Sequence, residues 1–321
     1  MALNTADLAA LTSAALEGLT IDQATTLNSA EVQALGIDIA NINTDAMAIL
    51  TSSQLAALTT SQLVGFDSVD IIALSSLAIE GLSSAQLKAL TTAQLAGFDS
   101  TDFAALTSLA VVGLTSSQIA SISATNGFNA LTTADLDALT SAAMLGITPA
   151  QIGTLDTADI QALGTDIANL NTAAMHALTS EQLAALTTAQ IAGFDSIDVV
   201  ALTSLAVAGL TSAQIAALSA TNGFNAFTTA DLEALTSAAI AGITPAQIGT
   251  LDTAEIQALG IDIANFNTAA MHALTSVQLA ALTTDQVSGF DSSDVGALTS
   301  TAIIGLNSAQ LAVLNATNGF N

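Results

Sequence analysis

The chain has 321 residues, 27 of them acidic against a single basic one, Lys88, which gives a net charge of −26; cysteine, tryptophan and tyrosine are absent. This balance excludes nucleic-acid binding, which needs lysine and arginine to neutralise phosphates, and attraction to anionic lipid headgroups. Half of the residues are apolar, but a Thr/Ser/Asp/Asn pair interrupts about every eighth residue, so no apolar run reaches the ~18 residues of a membrane span.

The first residues, MALNTADLAA, have neither a charged n-region nor a long apolar h-region, so no Sec signal peptide is expected. From Asn4 onward the chain repeats one octapeptide: NTADLAAL, TSAALEGL, later TSSQLAAL, TTAQLAGF, DSTDFAAL and TSAQIAAL. Aliphatic content this high lets the array bury a core and excludes disorder.

Each octad carries a helix-start signal. Position 1 is Thr, Ser, Asp or Asn, whose side-chain oxygen accepts a first-turn amide. Three residues later, in most octads, comes Gln, Asp or Glu, completing a capping box. The apolar residue that closes one octad and the Leu or Ile at position 5 of the next form a hydrophobic staple; Leu90, Thr91, Gln94 and Leu95 show the whole set. The two prolines, Pro149 and Pro245, fall at the first helical position, where a missing amide costs nothing.

Helices of about seven residues are far too short to stand alone in water and must stack, as in solenoids. The expected fold is all-α: a solenoid of short capped helices with four octads, about 32 residues, per coil. Positions 5 and 8 point inward; positions 2, 3 and 6 point outward. Glycine before the closing apolar residue (Gly18, Gly65, Gly81, Gly97, Gly113, Gly146, Gly193, Gly209) marks close backbone approach. The competing reading is a β-solenoid, disfavoured because apolar spacings of 3 and 5 do not alternate with period 2 and the Ala/Leu/Gln content favours helix.

Read as one body over 4–321, the array divides into ten units: 4–35, 36–66, 67–98, 99–131, 132–163, 164–194, 195–227, 228–259, 260–290 and 291–321. Octads are shortened to seven residues at 36–42, 164–170 and 260–266, and lengthened to nine at 123–131 and 219–227. Asn126-Gly127, Asn222-Gly223 and Asn318-Gly319 are turn signals. These features recur every 96 residues apart from one extra 32-residue unit, 67–98, as duplication would leave them.

Chemistry has few candidates. Asp67/Asp70, Asp99/Asp102, Asp195/Asp198 and Asp291/Asp294 occupy positions 1 and 4 of equivalent octads, and Asp156/Asp159 and Asp252/Glu255 repeat the pattern. Stacked, the four Asp pairs could line up carboxylates for Ca²⁺, an ion that prefers oxygen ligands; as helix caps they need no ion. Capping is the plainer reading. His176 and His272 stand in identical NTAAMHAL octads beside Met175 and Met271, with Ala48 in the earlier equivalent, and read as surface residues without catalytic partners. Repetition makes carboxylate environments alike, whereas acid–base pairs need them different, so no enzyme is expected.

In composition the chain resembles acidic, cysteine-free, lysine-poor repeat proteins of bacterial surfaces: type I-secreted adhesins, S-layer proteins and fibre subunits. The glycine/aspartate nonapeptide of their calcium-binding members is absent. The resemblance implies an extracellular or cell-surface structural role. The array runs in frame from Asn4 to Asn321 without a polar capping repeat, so the partner expected is another copy, stacked head to tail into a filament or layer. The alternative is a monomeric stalk or adhesin-type binding module stabilised by Ca²⁺.

Overall fold

The computed structural model describes residues 4–317, with side chains through Leu314; the Asn318-Gly319 turn signal lies outside them. The chain divides into two compact units, Met1–Asn171 and Thr172–Asn321. Every element among the described residues is an α-helix or a 3₁₀ turn, so each unit is a solenoid of short capped helices, and the strand reading falls away.

Most helices are 4–6 residues long, shorter than the octad, because the following cap must leave helical geometry. Thr91 shows the start: its backbone is extended (φ −76°, ψ 160°), its Oγ1 accepts the Gln94 amide at 3.2 Å, and Gln94 Oε1 accepts the Thr91 amide at 2.8 Å. Leu90 and Leu95, the staple about this cap, are both buried. Pro149 and Pro245 open their helices as expected. Positions 5 and 8 line the core of both units, with Phe128 and Phe224 among the largest fully buried side chains.

The irregular octads have specific geometries. The shortened ones begin with Gly36, Gly164 and Gly260 at φ +60°, +57° and +56°, each closely following an α-helix. A left-handed residue there ends the helix, and a 3₁₀ segment follows at Gly36–Asn41, Gly164–Asn169 and Gly260–Asn265. In the lengthened octads, Asn126-Gly127 and Asn222-Gly223 turn the chain into short 3₁₀ pieces, Phe128–Ala130 and Phe224–Ala226.

Successive turns meet at a defined offset. In the first unit the helix Ser76–Ile79 packs on Ser52–Ala57, three octads earlier, and on Ser100–Ala105, three later; in the second, Ser180–Ala185 packs on Ser204–Val207. Side-chain hydrogen bonds between turns span 24 to 32 residues. A turn therefore takes between three and four octads, slightly less than the four-octad period of the sequence. The sequence period measures duplication, while the turn is set by how the helices pack.

Glycine sets the tightest approach. A Cβ on Gly81, Gly113 or Gly146, and in the second unit on Gly209, Gly242 or Gly305, would stand 2.0–2.1 Å from the carbonyl oxygen of Ser52, Ser84, Ser116, Ser180, Ser212 or Ser276 respectively. Gly18, Gly65 and Gly97, expected to act likewise, have nothing nearer than 3.5, 3.2 and 3.1 Å; Gly18, Gly65 and Gly193 are C-cap residues of their own helices. Two alanine substitutions should therefore move stability in opposite directions. Gly113→Ala drives a methyl into the Ser84 carbonyl and should cost about 1–3 kcal/mol. Gly296→Ala, on a helix where nothing lies within 4 Å of the new Cβ, should gain about 0.5–1 kcal/mol. Thermal melts of both variants beside the parent chain check the pair of signs.

Candidate functional site

The buried polar chemistry of the protein is concentrated at octad position 4. Gln118 serves two turns at once. Its Oε1 accepts the amide of its own N-cap, Thr115, at 2.9 Å, and its Nε2 donates to the carbonyls of Leu87 (2.8 Å) and Leu90 (2.7 Å), four octads earlier. In the first unit Gln54 does the same to Ala24 and Leu27, Gln86 to Leu55 and Leu58, and Gln151 to Ile119 and Ile122. In the second unit Gln214 reaches Leu183 and Leu186, Gln247 reaches Ile215 and Leu218, and Gln310 reaches Leu279 and Leu282. These glutamines are all buried. The amide group is the one side chain of this size that both accepts and donates, so it closes a helix start and a helix end together. The capping half was legible in the octad; the half that joins turns was not.

At three octads where position 4 is Asp, the turn below offers a hydroxyl. Ser76 Oγ donates to Asp102 Oδ1 at 2.8 Å and Ser108 to Asp135 at 2.8 Å, and in the second unit Ser204 donates to Asp231 at 2.7 Å. In the shortened octads Asp166 and Asp262 take the same kind of bond from Ser141 and Ser237, both at 2.7 Å. Asn43, Asn171 and Asn267 add Nδ2 donors to carbonyls of preceding turns.

The four acidic pairs proposed from sequence as calcium candidates are capping boxes. Asp67 Oδ1 accepts the amides of Val69 (2.7 Å) and Asp70 (3.0 Å), while Asp70 Oδ2 accepts the Asp67 amide at 2.8 Å. Asp99/Asp102, Asp195/Asp198 and Asp291/Asp294 repeat this arrangement, as do Asp156/Asp159 and Asp252/Glu255. Among the described residues no group of three or more His, Cys, Asp or Glu side chains comes together, so a cation at any one pair would draw most of its six to eight oxygens from backbone or water. His176 Nδ1 lies 3.0 Å from the Ala201 carbonyl and His272 Nδ1 3.1 Å from that of Ala297. Both residues are exposed, as a surface reading requires, and each also bridges two turns.

Burial raises the carboxyls of Asp70, Asp102, Asp159 and Asp294 above the ordinary range, and pushes Asp198 up to about 6. Desolvation is the leading cause in each; the backbone amide of the pair's first Asp opposes it, and that residue's charge adds to it.

Fold and ladder together define a helical repeat protein. Segments 63–100, 165–196, 224–260 and 261–292 match the ALTTAQ repeat family, so these stretches are similar to ALTTAQ repeats. No curated protein matches the chain. Among the described residues no helix is long and apolar enough to cross a membrane.

Two measurements probe this chemistry. Gln118→Glu removes both Nε2 donors and sets a carboxylate against two buried carbonyls, at an expected cost of about 3 kcal/mol or more at pH 7. Part of the loss should return at acid pH, where the introduced carboxyl is protonated and can donate once, and urea unfolding at the two pH values reads the difference. For Asp198, the raised folded pKa means that the folded chain holds more protons than the unfolded one between pH about 4 and about 6. Its contribution is therefore fully present at low pH and lost as pH rises through about 6. Asp198→Asn, which keeps an acceptor for the Asp195 amide, should melt at or above the parent at pH 7 and show a flatter pH dependence across that window.

Proposed function

We propose that this chain is a structural protein without a catalytic role, whose copies continue one another's solenoid head to tail in an extracellular filament or surface layer. The observation that carries this reading is the glutamine–carbonyl ladder. Its donors and acceptors recur from turn to turn at offsets of 27 to 32 residues, so a turn of one copy presents donors of the kind that the carbonyls of another copy accept. A heterologous contact of that kind propagates. Stacking asks little of electrostatics, because the groups meeting between turns are mostly neutral amides and apolar side chains. The charge of −26 would keep neighbouring assemblies apart in solution. An extracellular, bacterial setting rests on the resemblance in composition to acidic surface repeat proteins.

A monomeric stalk or adhesin-type module is favoured instead by one observation, the aliphatic side chains exposed on the flanks of both units. Negative-stain electron microscopy of the purified chain over a range of concentrations, with and without millimolar Ca²⁺, separates the two. Filaments of uniform width are the expected result. Single particles of one-chain mass at every concentration would overturn the head-to-tail reading and leave the stalk. Assembly or melting that changes with calcium would assign the ion to the acidic pairs.

A further inference from the structure

Octad position 3 points outward and normally holds a small or polar residue, as at Ala142, Ala238 and Thr301. At Leu77 and Leu109 in the first unit, and at Leu205 in the second, it holds leucine with 77%, 84% and 80% of its surface exposed. The octad preceding Leu77 presents Val69 and Ile72, and the octad preceding Leu205 presents Ile197 and Val200 at the same positions, all exposed. The core needs none of these side chains. Single exposed aliphatics are ordinary, but a set that returns at the same octad positions in both units is a surface feature.

In the first unit Leu77 stands between two shallow grooves. One, of 560 Å³, runs past Ala48 and Ile49; the other, of 620 Å³, runs past Thr101 and Ala104; Leu77 and Glu80 line both. Leu77 is thus an exposed aliphatic ridge between two shallow grooves, with the Glu80 carboxylate beside both.

We infer that the ridge at Leu77 and the grooves beside it dock a cationic amphipathic segment of another protein, one that lays a leucine-class side chain against Leu77 and a lysine or arginine against Glu80. Charge chooses the occupant. A second copy brings a net −26 and one cation in its whole sequence, Lys88, so it is a poor complement to Glu80. A basic amphipathic partner gains long-range attraction from the acidic surface and short-range burial on the ridge. The contact lies on the flank of the unit and does not depend on whether copies stack axially.

The test uses the full chain and a fluorescein-labelled helical peptide of leucine and lysine, with its leucine/glutamate counterpart as control, read by fluorescence anisotropy. The lysine peptide should bind and the glutamate peptide should not. Leu77→Ser should weaken binding about tenfold, and Glu80→Gln should weaken it and flatten its salt dependence, both with circular dichroism unchanged because the two side chains lie outside the core. Parent-like affinity of Leu77→Ser would reduce the effect to unspecific charge attraction and overturn the inference. Equal binding of the glutamate peptide would overturn the charge argument. Loss of the chain's self-association in Leu77→Ser, with peptide binding intact, would make the occupant a second copy instead.

Discussion

A helix of four to six residues has almost no interior. The first four amides and last four carbonyls of any helix lack partners within it, so here nearly every backbone group is an end group. Burying such a chain without other partners would leave about one to three kcal/mol of unmet desolvation at each orphan, summed over more than thirty helices. The architecture follows from how those ends are met. Amides are met within the octad, by the cap oxygen at position 1 and the Gln, Asp or Glu oxygen at position 4. Carbonyls are met from another turn, by the Nε2 of a glutamine four octads on. Apolar burial at positions 5 and 8 supplies the drive to stack, and the amide ladder fixes the register in which stacking occurs.

The ladder also explains where charge is allowed. Glutamine is neutral and bifunctional, so it can be buried while meeting three backbone groups, as Gln118 does. An aspartate at position 4 has no proton to give a carbonyl pair below. A serine hydroxyl or the pair's own amide faces it instead, and the residual cost shows as the raised pKa values of Asp70, Asp102 and Asp198. Alanine takes position 4 in octads whose glycine touches the turn beneath, such as Ala110 with Gly113 and Ala206 with Gly209. Position 4 and position 7 thus change together, because both describe what lies underneath.

Much of this was legible in the sequence, and the illegible part has one cause. Caps, capping boxes, staples and proline positions are local, fixed within five residues, and Thr91, Gln94 and Pro149 behave as the octad implies. What lies across a turn cannot be known before the turn is known. The four-octad duplication hid a turn of between three and four octads, and with it the second bond of the ladder glutamines and the Ser76–Asp102 pairing. The glycine reading divided the same way: Gly81, Gly113, Gly146 and Gly209 sit on a serine carbonyl, whereas Gly18 and Gly65 end their own helices. The acidic pairs were recognisable as two carboxylates at one helix start. Whether a third would join them was a question about stacking.

The glutamine ladder runs through positions 1, 4, 5 and 8, and at the outward positions 3 and 6 side-chain bonds between turns come from particular residues, Gln33, His176 and His272. A repeat protein is stabilised by each turn and its neighbours, so a substitution at an outward position that makes no such bond is felt by neither the core nor the register. Such positions can diverge without unfolding the array, which makes them the places where one repeat can come to differ from the next. Most have stayed small. The exceptions include Val69, Ile72 and Leu77 and their counterparts Ile197, Val200 and Leu205, with Leu109, Leu145, Val277 and Ile304 elsewhere; all are large, aliphatic and exposed. Exposed aliphatic surface is unfavourable in water and contributes nothing to the fold here; duplication accounts for its return at matching positions in both units, and contact with something else would offset its cost.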